Sequence, residues 1–406
     1  MKTNLKKQAL SLVLSLSMVV GLGVTTFAKG PIVQTPVAKA KELKIKKVLN
    51  LPTSGVKTPI QKFDFKFTKV SFNGKTTDLE TNVPTINDQA VNYAESDKDD
   101  QDDTTTGKQV IKLTPDALKG VTFPKVGQYV YKVTETKGNT EDMTYSKAEY
   151  TVSIFTETKG NKIVVSDIQI AQSKDDKGQD PADKNKKEYT PGTDEDHGKG
   201  NGLVFNNNYD KKGGNDNPKK QEDPEDIDKK GFTLKKLVAG EKANSEEKFE
   251  FTLTVTKPEG THSTETQFSY KIASKDIDAP TEVKVNYGEP FKVELKNGER
   301  IVFGKVLLGS KVKVEETNAK GYISTVNADS KLNGTVVTLD QLKADTDQKV
   351  IGEEGDNFVT FTNTQQTAVG FILNNLPFIV LVAFAGFGIL FFVKNKKDKD
   401  EEEQRA

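Results

Sequence analysis

Three residue types recur in one order along this chain, at positions where a folded protein should not want them. In "LKIKK", Leu43 and Ile45 define an apolar face by strand alternation, and Lys47 continues that face. In "YVYKVTE", Tyr131 and Val133 lead to Glu135; in "LVFNN", Leu203 and Phe205 lead to Asn207. The set then repeats. "FTLKK" ends on Lys236, "VKVEE" carries Val312 and Val314 to Glu316, and "FVTFTN" carries Val359 and Phe361 to Asn363. Each half of the chain therefore aims one amine, one carboxyl and one primary amide inward.

A single polar residue at a strand end marks where a core stops; two matching sets of three ask for more. A buried Lys–Glu ion pair would use two of each three, but such pairs stabilise weakly and leave the asparagine idle. One reaction uses all three. An apolar pocket lowers the lysine pKa and makes the amine nucleophilic, while the same pocket raises the glutamate pKa. The protonated glutamate can then polarise the asparagine carbonyl. Attack on the asparagine Cγ, with proximity supplied by the fold, expels ammonia and leaves an amide between two side chains.

Strands must hold these groups, and strand-period stretches are plentiful. "KFDFKFTKV" at 62–70, "YTVSIF" at 150–155 and "KFEFTLTVT" at 248–256 alternate as the triad-bearing segments do. Their threonine, valine and aromatic content, with Gly, Asn, Asp and Pro between runs, predicts all-β domains of the sandwich kind. The motif order repeats in two halves, over 42–208 and 231–364. A charged stretch at 209–230, bearing Gly and Pro, reads as a solvated linker. Two acidic insertions, at 95–107 and 172–200, read as solvated loops. Asp97, Asp99 and Asp103 lack the turn glycine and closing glutamate of a calcium loop.

The ends carry targeting signals. Residues 1–28 have a basic start, an apolar run and small residues Thr26 and Ala28 at cleavage spacing, as a secretory signal peptide does. The apolar run 371–393, followed by Lys394, Lys396 and Lys397, is long enough for a transmembrane helix. Cysteine is absent, so an exported chain here has no disulfide staple. Lys+Arg and Asp+Glu balance at 59 each, which offers no global field for nucleic acid. His197 and His262, the only histidines, sit in polar loop-like sequence, and the parts for zinc, thiol or Ser-His chemistry are lacking. No cofactor and no metal are expected.

In its lysine strands, in "YKVTE" and "VKVEE", and in the closing "FNN" and "FTN", the sequence resembles the Gram-positive major (backbone) pilins of the streptococcal T-antigen, FctA-like type. The resemblance runs over nearly the whole chain. It implies two tandem Ig-like β-sandwiches, each closed by a Lys–Asn isopeptide bond between first and last strands. Carried over by motif, the bonds are Lys47–Asn207 beside Glu135 and Lys236–Asn363 beside Glu316. It also implies a sorting region at 365–406, with sortase cleavage between Val369 and Gly370. Of the family's LPxTG-type pentapeptide, only the glycine of Gln366-Thr367-Ala368-Val369-Gly370 matches well, so a sortase of variant specificity or simple membrane retention are both open. The acceptor for the next subunit falls near Lys199, with Lys186 and Lys187 as rivals on the same loop.

The resulting expectation is a non-enzymatic, secreted shaft pilin (fimbrium) of the cell surface and cell wall. Its partners would be identical subunits joined head to tail, a class C-type pilin sortase, ancillary pilins and host surface ligands. The membrane would hold the precursor transiently through 371–393. The alternatives are an ancillary, adhesive surface protein anchored to cell wall or membrane, and a membrane-anchored enzyme with paired carboxylates.

Overall fold

The computed structural model describes residues 41–365, apart from 99, 101–106, 223, 318, 320 and 346–348. The segments read as signal peptide, sorting pentapeptide and membrane run lie outside the described residues. Among the described residues, no helix is long and apolar enough to cross a membrane.

The chain is all-β and divides into two compact units. Of the described residues, the first holds those within 41–51, 58–100 and 108–209, and the second those within 52–57, Gly107 and 210–365.

In the first unit come β1 (Lys46–Leu51), β2 (Gln61–Phe72), β3 (Gln89–Tyr93), β4 (Lys108–Leu113) and β5 (Gly127–Glu135). They are followed by β6 (Met143–Thr144), β7 (Glu149–Lys159), β8 (Lys162–Lys174), β9 (Lys187–Glu188) and β10 (Val204–Tyr209). One turn of helix, α1 (Leu79–Asn82), follows β2. A four-stranded sheet runs β4-β1-β10-β6 and a six-stranded sheet runs β3-β2-β5-β7-β8-β9. Their inner faces meet through rings: Phe65 on β2 lies 5.1 Å from Phe205 on β10, and Tyr150 on β7 lies 5.3 Å from the same ring. β1 and β10, near the two ends of the unit, are parallel neighbours. Parallel strands cannot be joined by a hairpin, so nearly the whole unit serves as their connection.

The second unit repeats that plan with additions. Its early elements are β11 (Lys212–Gly213), α2 (Pro224–Asp228), β12 (Thr233–Ala239), β13 (Phe249–Thr256) and β14 (Gln267–Ala273). Then come β15 (Val283–Asn286), β16 (Phe291–Leu295), β17 (Arg300–Phe303), β18 (Val306–Leu307) and β19 (Lys311–Glu316). It closes with β20 (Tyr322–Val326), β21 (Lys331–Leu332), β22 (Thr335–Val336), α3 (Leu339–Lys343), β23 (Lys349–Val350) and β24 (Phe358–Gln365). The larger sheet runs β15-β14-β17-β12-β24-β21-β22, with β20 also on β24, and faces β16-β13-β19-β23. Again the lysine-bearing strand and the last strand, β12 and β24, are parallel neighbours, and Phe251 meets Phe361 across the sheets at 5.2 Å.

The stretch 209–230, expected to be solvated, is packed instead. Lys212 and Gly213 pair with Val306 and Leu307. Asn215 and Asp226 are buried, with the Asn215 amide donating to Asp226 at 2.8 Å. The cause is Arg300, which stands opposite Lys235 on the face of its sheet turned away from the triad and is buried beneath this stretch. Its Nε donates to Asp226 at 2.9 Å, and its other nitrogens donate to the carbonyls of Lys219, Lys220 and Gln221. A buried guanidinium needs a carboxylate and several acceptors, and the polar stretch supplies them. The acidic insertion 172–200 also differs from a solvated loop. It contributes β9 and the buried Tyr189, whose hydroxyl donates to the Lys44 carbonyl at 2.6 Å.

Asp226→Ala leaves the Arg300 charge buried without its counter-ion, and should cost the second unit about 3–5 kcal/mol. Urea unfolding reads this as a lower midpoint; an unchanged midpoint would show that the pair is not holding the segment.

Candidate cross-linking sites

Each unit gathers its lysine, glutamate and asparagine at one buried point, and it does so by the same register. Lys47 lies opposite Phe205 in the β1–β10 ladder, and Leu49 lies opposite Asn207. Lys236 lies opposite Phe361, and Val238 opposite Asn363. Lysine and asparagine are thus two residues out of register in both ladders, on one face of the sheet, within reach of a long side chain. The glutamates come from the facing sheets, also in matched register: Phe65 lies opposite Glu135 and Phe251 opposite Glu316.

The side chains meet. Lys47 Nζ donates to Glu135 Oε2 at 2.8 Å, and Asn207 Nδ2 donates to Glu135 Oε1 at 2.6 Å. Lys236 Nζ and Asn363 Nδ2 both donate to Glu316 Oε1, each at 2.8 Å. Both lysines and both asparagines are 0% exposed. Aromatic rings cover the amines: Phe63 lies 4.6 Å from Lys47 Nζ, and Phe249 4.3 Å from Lys236 Nζ.

Burial decides the electrostatics. Desolvation brings the Lys47 pKa down to about 8, against the opposing pull of the Glu135 charge. Desolvation also raises the Glu135 pKa, while Lys47 opposes that shift. The two groups are driven toward sharing one proton as neutral amine and neutral acid. Lys236 is lowered by the same cause, with Glu316 opposing.

The carboxyl sits at a different atom from the one expected on sequence. The Ser146 backbone N–H donates to Asn207 Oδ1 at 2.7 Å. A backbone N–H can only donate, so the carbonyl oxygen faces Ser146 and the amide nitrogen faces Glu135. Glu135 therefore bridges the amine and the amide nitrogen and is placed to carry a proton from one to the other. In the second site the Ser324 hydroxyl donates to the remaining Glu316 oxygen at 2.5 Å. There Asn363 Oδ1 is buried with no hydrogen-bond partner.

Phe63 and Phe249 were missed as site residues, although both begin the inward run of the repeated "KFDF" and "KFEF". Ser146 and Ser324 left no such trace. They act from a loop and from a strand with no counterpart in the repeat.

The assembly residues are placed less closely. Lys199 is exposed in a turn, its backbone N–H held by Asp196. Lys187 is on β9, paired with β8, and Lys186 Nζ donates to Ser153 Oγ at 3.3 Å, so these two are not on a free loop. Val369 and Gly370 lie outside the described residues. Asp97 is taken up by the Ala94 N–H and the Lys112 ammonium; Asp99 and Asp103 are not described.

Residues 43–210 match a family model, FctA, described as a Spy0128-like isopeptide containing domain. Residues 230–365 match DUF7601, a domain of unknown function. A curated pilin of Streptococcus pyogenes serotype M1 is 25% identical over 387 residues, covering 93% of this chain and 98% of that protein. The solved major pilin of S. pyogenes is 21% identical and covers 80% of this chain and 99% of its own, at a TM-score of 0.33. The T3.2 major pilin of serotype GAS13637 is 21% identical at the same score, covering 81% of this chain and all of its own.

A pH profile checks the shared proton. With one proton between Lys47 and Glu135, the pair can hold both neutral amine and neutral acid. Above about pH 8 that proton is lost and the acid with it. In acid a second proton arrives and the amine becomes an ammonium. If Lys47 joins Asn207, the rate of bond formation in unreacted, newly folded chain should thus be bell-shaped, falling on the alkaline side from about pH 8. A rate still rising at pH 10 would contradict the bridging role of Glu135.

Proposed function

We propose that this chain is an FctA-like streptococcal-type pilin and works as the structural major subunit of a surface pilus whose two units cross-link themselves. The observation that carries the cross-linking is the bridging carboxyl, which in each unit touches a buried amine and a buried primary amide at once. The neutral lysine attacks the asparagine Cγ, and the electron pair moves to Oδ1. The glutamic acid protonates Nδ2 and takes a proton from Nζ; the C–Nδ2 bond breaks and ammonia leaves. The bonds are Lys47–Asn207 and Lys236–Asn363. Each glutamate acts once, on its own chain, so there is no turnover of an outside substrate.

The rest of the reading follows from the same family. The two units are Ig-like sandwiches, the first 28 residues are a signal peptide, and 371–393 holds the precursor in the membrane. A pilin sortase cuts between Val369 and Gly370 and joins Val369 to Lys199 of the next subunit. Lys199 is favoured because it is exposed just ahead of β10, whereas Lys186 and Lys187 have side-chain partners.

Intact mass of the recombinant ectodomain tests the central claim. It should fall short of the sequence mass by two molecules of ammonia, and Glu135→Ala or Glu316→Ala should each restore one. Full sequence mass in the unaltered chain would sink the cross-linking. Each bond closes a loop of roughly 130–160 residues, for which the chain-entropy relation gives about 5 kcal/mol. Asn363→Ala should accordingly melt the second unit earlier and open it to protease. Assembly is checked by co-expression with the cognate sortase and peptide mapping of the polymer: a Val369–Lys199 junction is expected, and one at Lys186 or Lys187 refutes the acceptor.

A further inference from the structure

The two sites agree in their amine, carboxyl and amide, and differ in what meets the asparagine carbonyl. Asn207 Oδ1 accepts the Ser146 N–H at 2.7 Å; Asn363 Oδ1 accepts nothing. That oxygen is where negative charge gathers when an amine adds to the amide carbon. A fixed N–H there gains strength as the charge grows, and such donors are among the largest single contributions to acyl-transfer rates. The donor also fixes the amide. With its oxygen on Ser146, Asn207 can present only its nitrogen to Glu135; Asn363 presents its nitrogen to Glu316 at 2.8 Å with no donor on its oxygen.

Ser146 is held in place by Asp176, from the acidic insertion. The Ser146 hydroxyl donates to Asp176 Oδ1 at 2.6 Å, and the Lys147 N–H donates to the Asp176 carbonyl at 2.9 Å. Asp176 also takes the Asn206 N–H at 3.0 Å and the Asn206 side-chain amide at 2.8 Å. One aspartate thus ties the loop carrying the donor to the strand carrying the reacting amide. The second site has the Ser324 hydroxyl instead, which steadies the Glu316 carboxyl and leaves the carbonyl bare.

We propose that the Ser146 N–H is the oxyanion donor of the first site, with Asp176 as its positioning residue, and that the second site, lacking one, closes more slowly. The proposal rests on the cross-linking reading above. The step is the same at both sites. The Nζ–Cγ bond forms, the carbonyl pair moves to Oδ1 and returns, the C–Nδ2 bond breaks, and ammonia carries off one proton delivered by the glutamic acid. Only the first site stabilises the intermediate oxygen.

The full chain is expressed in a short pulse, quenched in denaturant at intervals and digested. The cross-linked peptides joining 47 to 207 and 236 to 363 are then quantified. The first should lead the second by about tenfold or more, a conservative share of the 10²–10³ that one oxyanion donor supplies. Asp176→Ala should slow the first bond by about tenfold or more and leave the second unmoved. Asp176→Asn, which keeps an oxygen for the Ser146 hydroxyl but no charge, should recover most of that loss. Bonds that appear together, or the second first, overturn the proposal without any substitution, as does an Asp176→Ala rate equal to wild type. Equal slowing by Ala and Asn overturns the positioning role. A chain that forms neither bond fails the cross-linking reading itself, and the proposal falls with it.

Discussion

A lysine nitrogen taken wholly out of water must find a carboxylate, lose its proton or react, and both units are arranged around that constraint. Lys47 and Lys236 are fully buried under phenylalanine rings, each against a carboxyl from the facing sheet. An ion pair at this depth roughly cancels its own desolvation, so it explains poorly why the arrangement exists twice. The third member resolves this. A primary amide on the same carboxyl would, on the proposed reaction, give the amine something to attack. The parallel pairing of first and last strands, with its two-residue offset, is what delivers that amide.

Much of this was legible before any fold was known, because strand alternation is a strict parity. Once Leu43 and Ile45 are inward, Lys47 is inward, and the same reasoning fixes Glu135, Asn207 and the second set. Parity says nothing about which strands are neighbours or which atom faces which. It gave no hint that the glutamates meet the amide nitrogen, nor that Ser146 takes the carbonyl. Which end of an amide faces a carboxyl is not a matter of parity, and Ser146 acts from a loop, where no period exists to be read.

The stretch 209–230 shows the opposite failure. Its composition is that of a solvated linker, and composition was the only guide. What overrides it is Arg300, a single guanidinium on the outer face of its sheet, whose five donors need acceptors once that face is covered. A polar segment that offers backbone carbonyls and the Asp226 carboxylate is well suited to that need. The segment is therefore ordered by a charge that belongs to another strand, and it should resist extension rather than yield freely.

The pairing of first with last strand also sets a schedule. A ribosome makes the chain from its N-terminal end, so β1 and its lysine exist long before β10, and β12 long before β24. Until the final strand arrives, each lysine-bearing strand lacks its parallel neighbour, and the electrophile is simply not there. On the proposed reaction each unit stays linear until its own closing strand is made, the first unit well before the second. A unit cut short of that strand would then have no amide to join, so the closing strand would serve as a chemical check on what lies upstream of it.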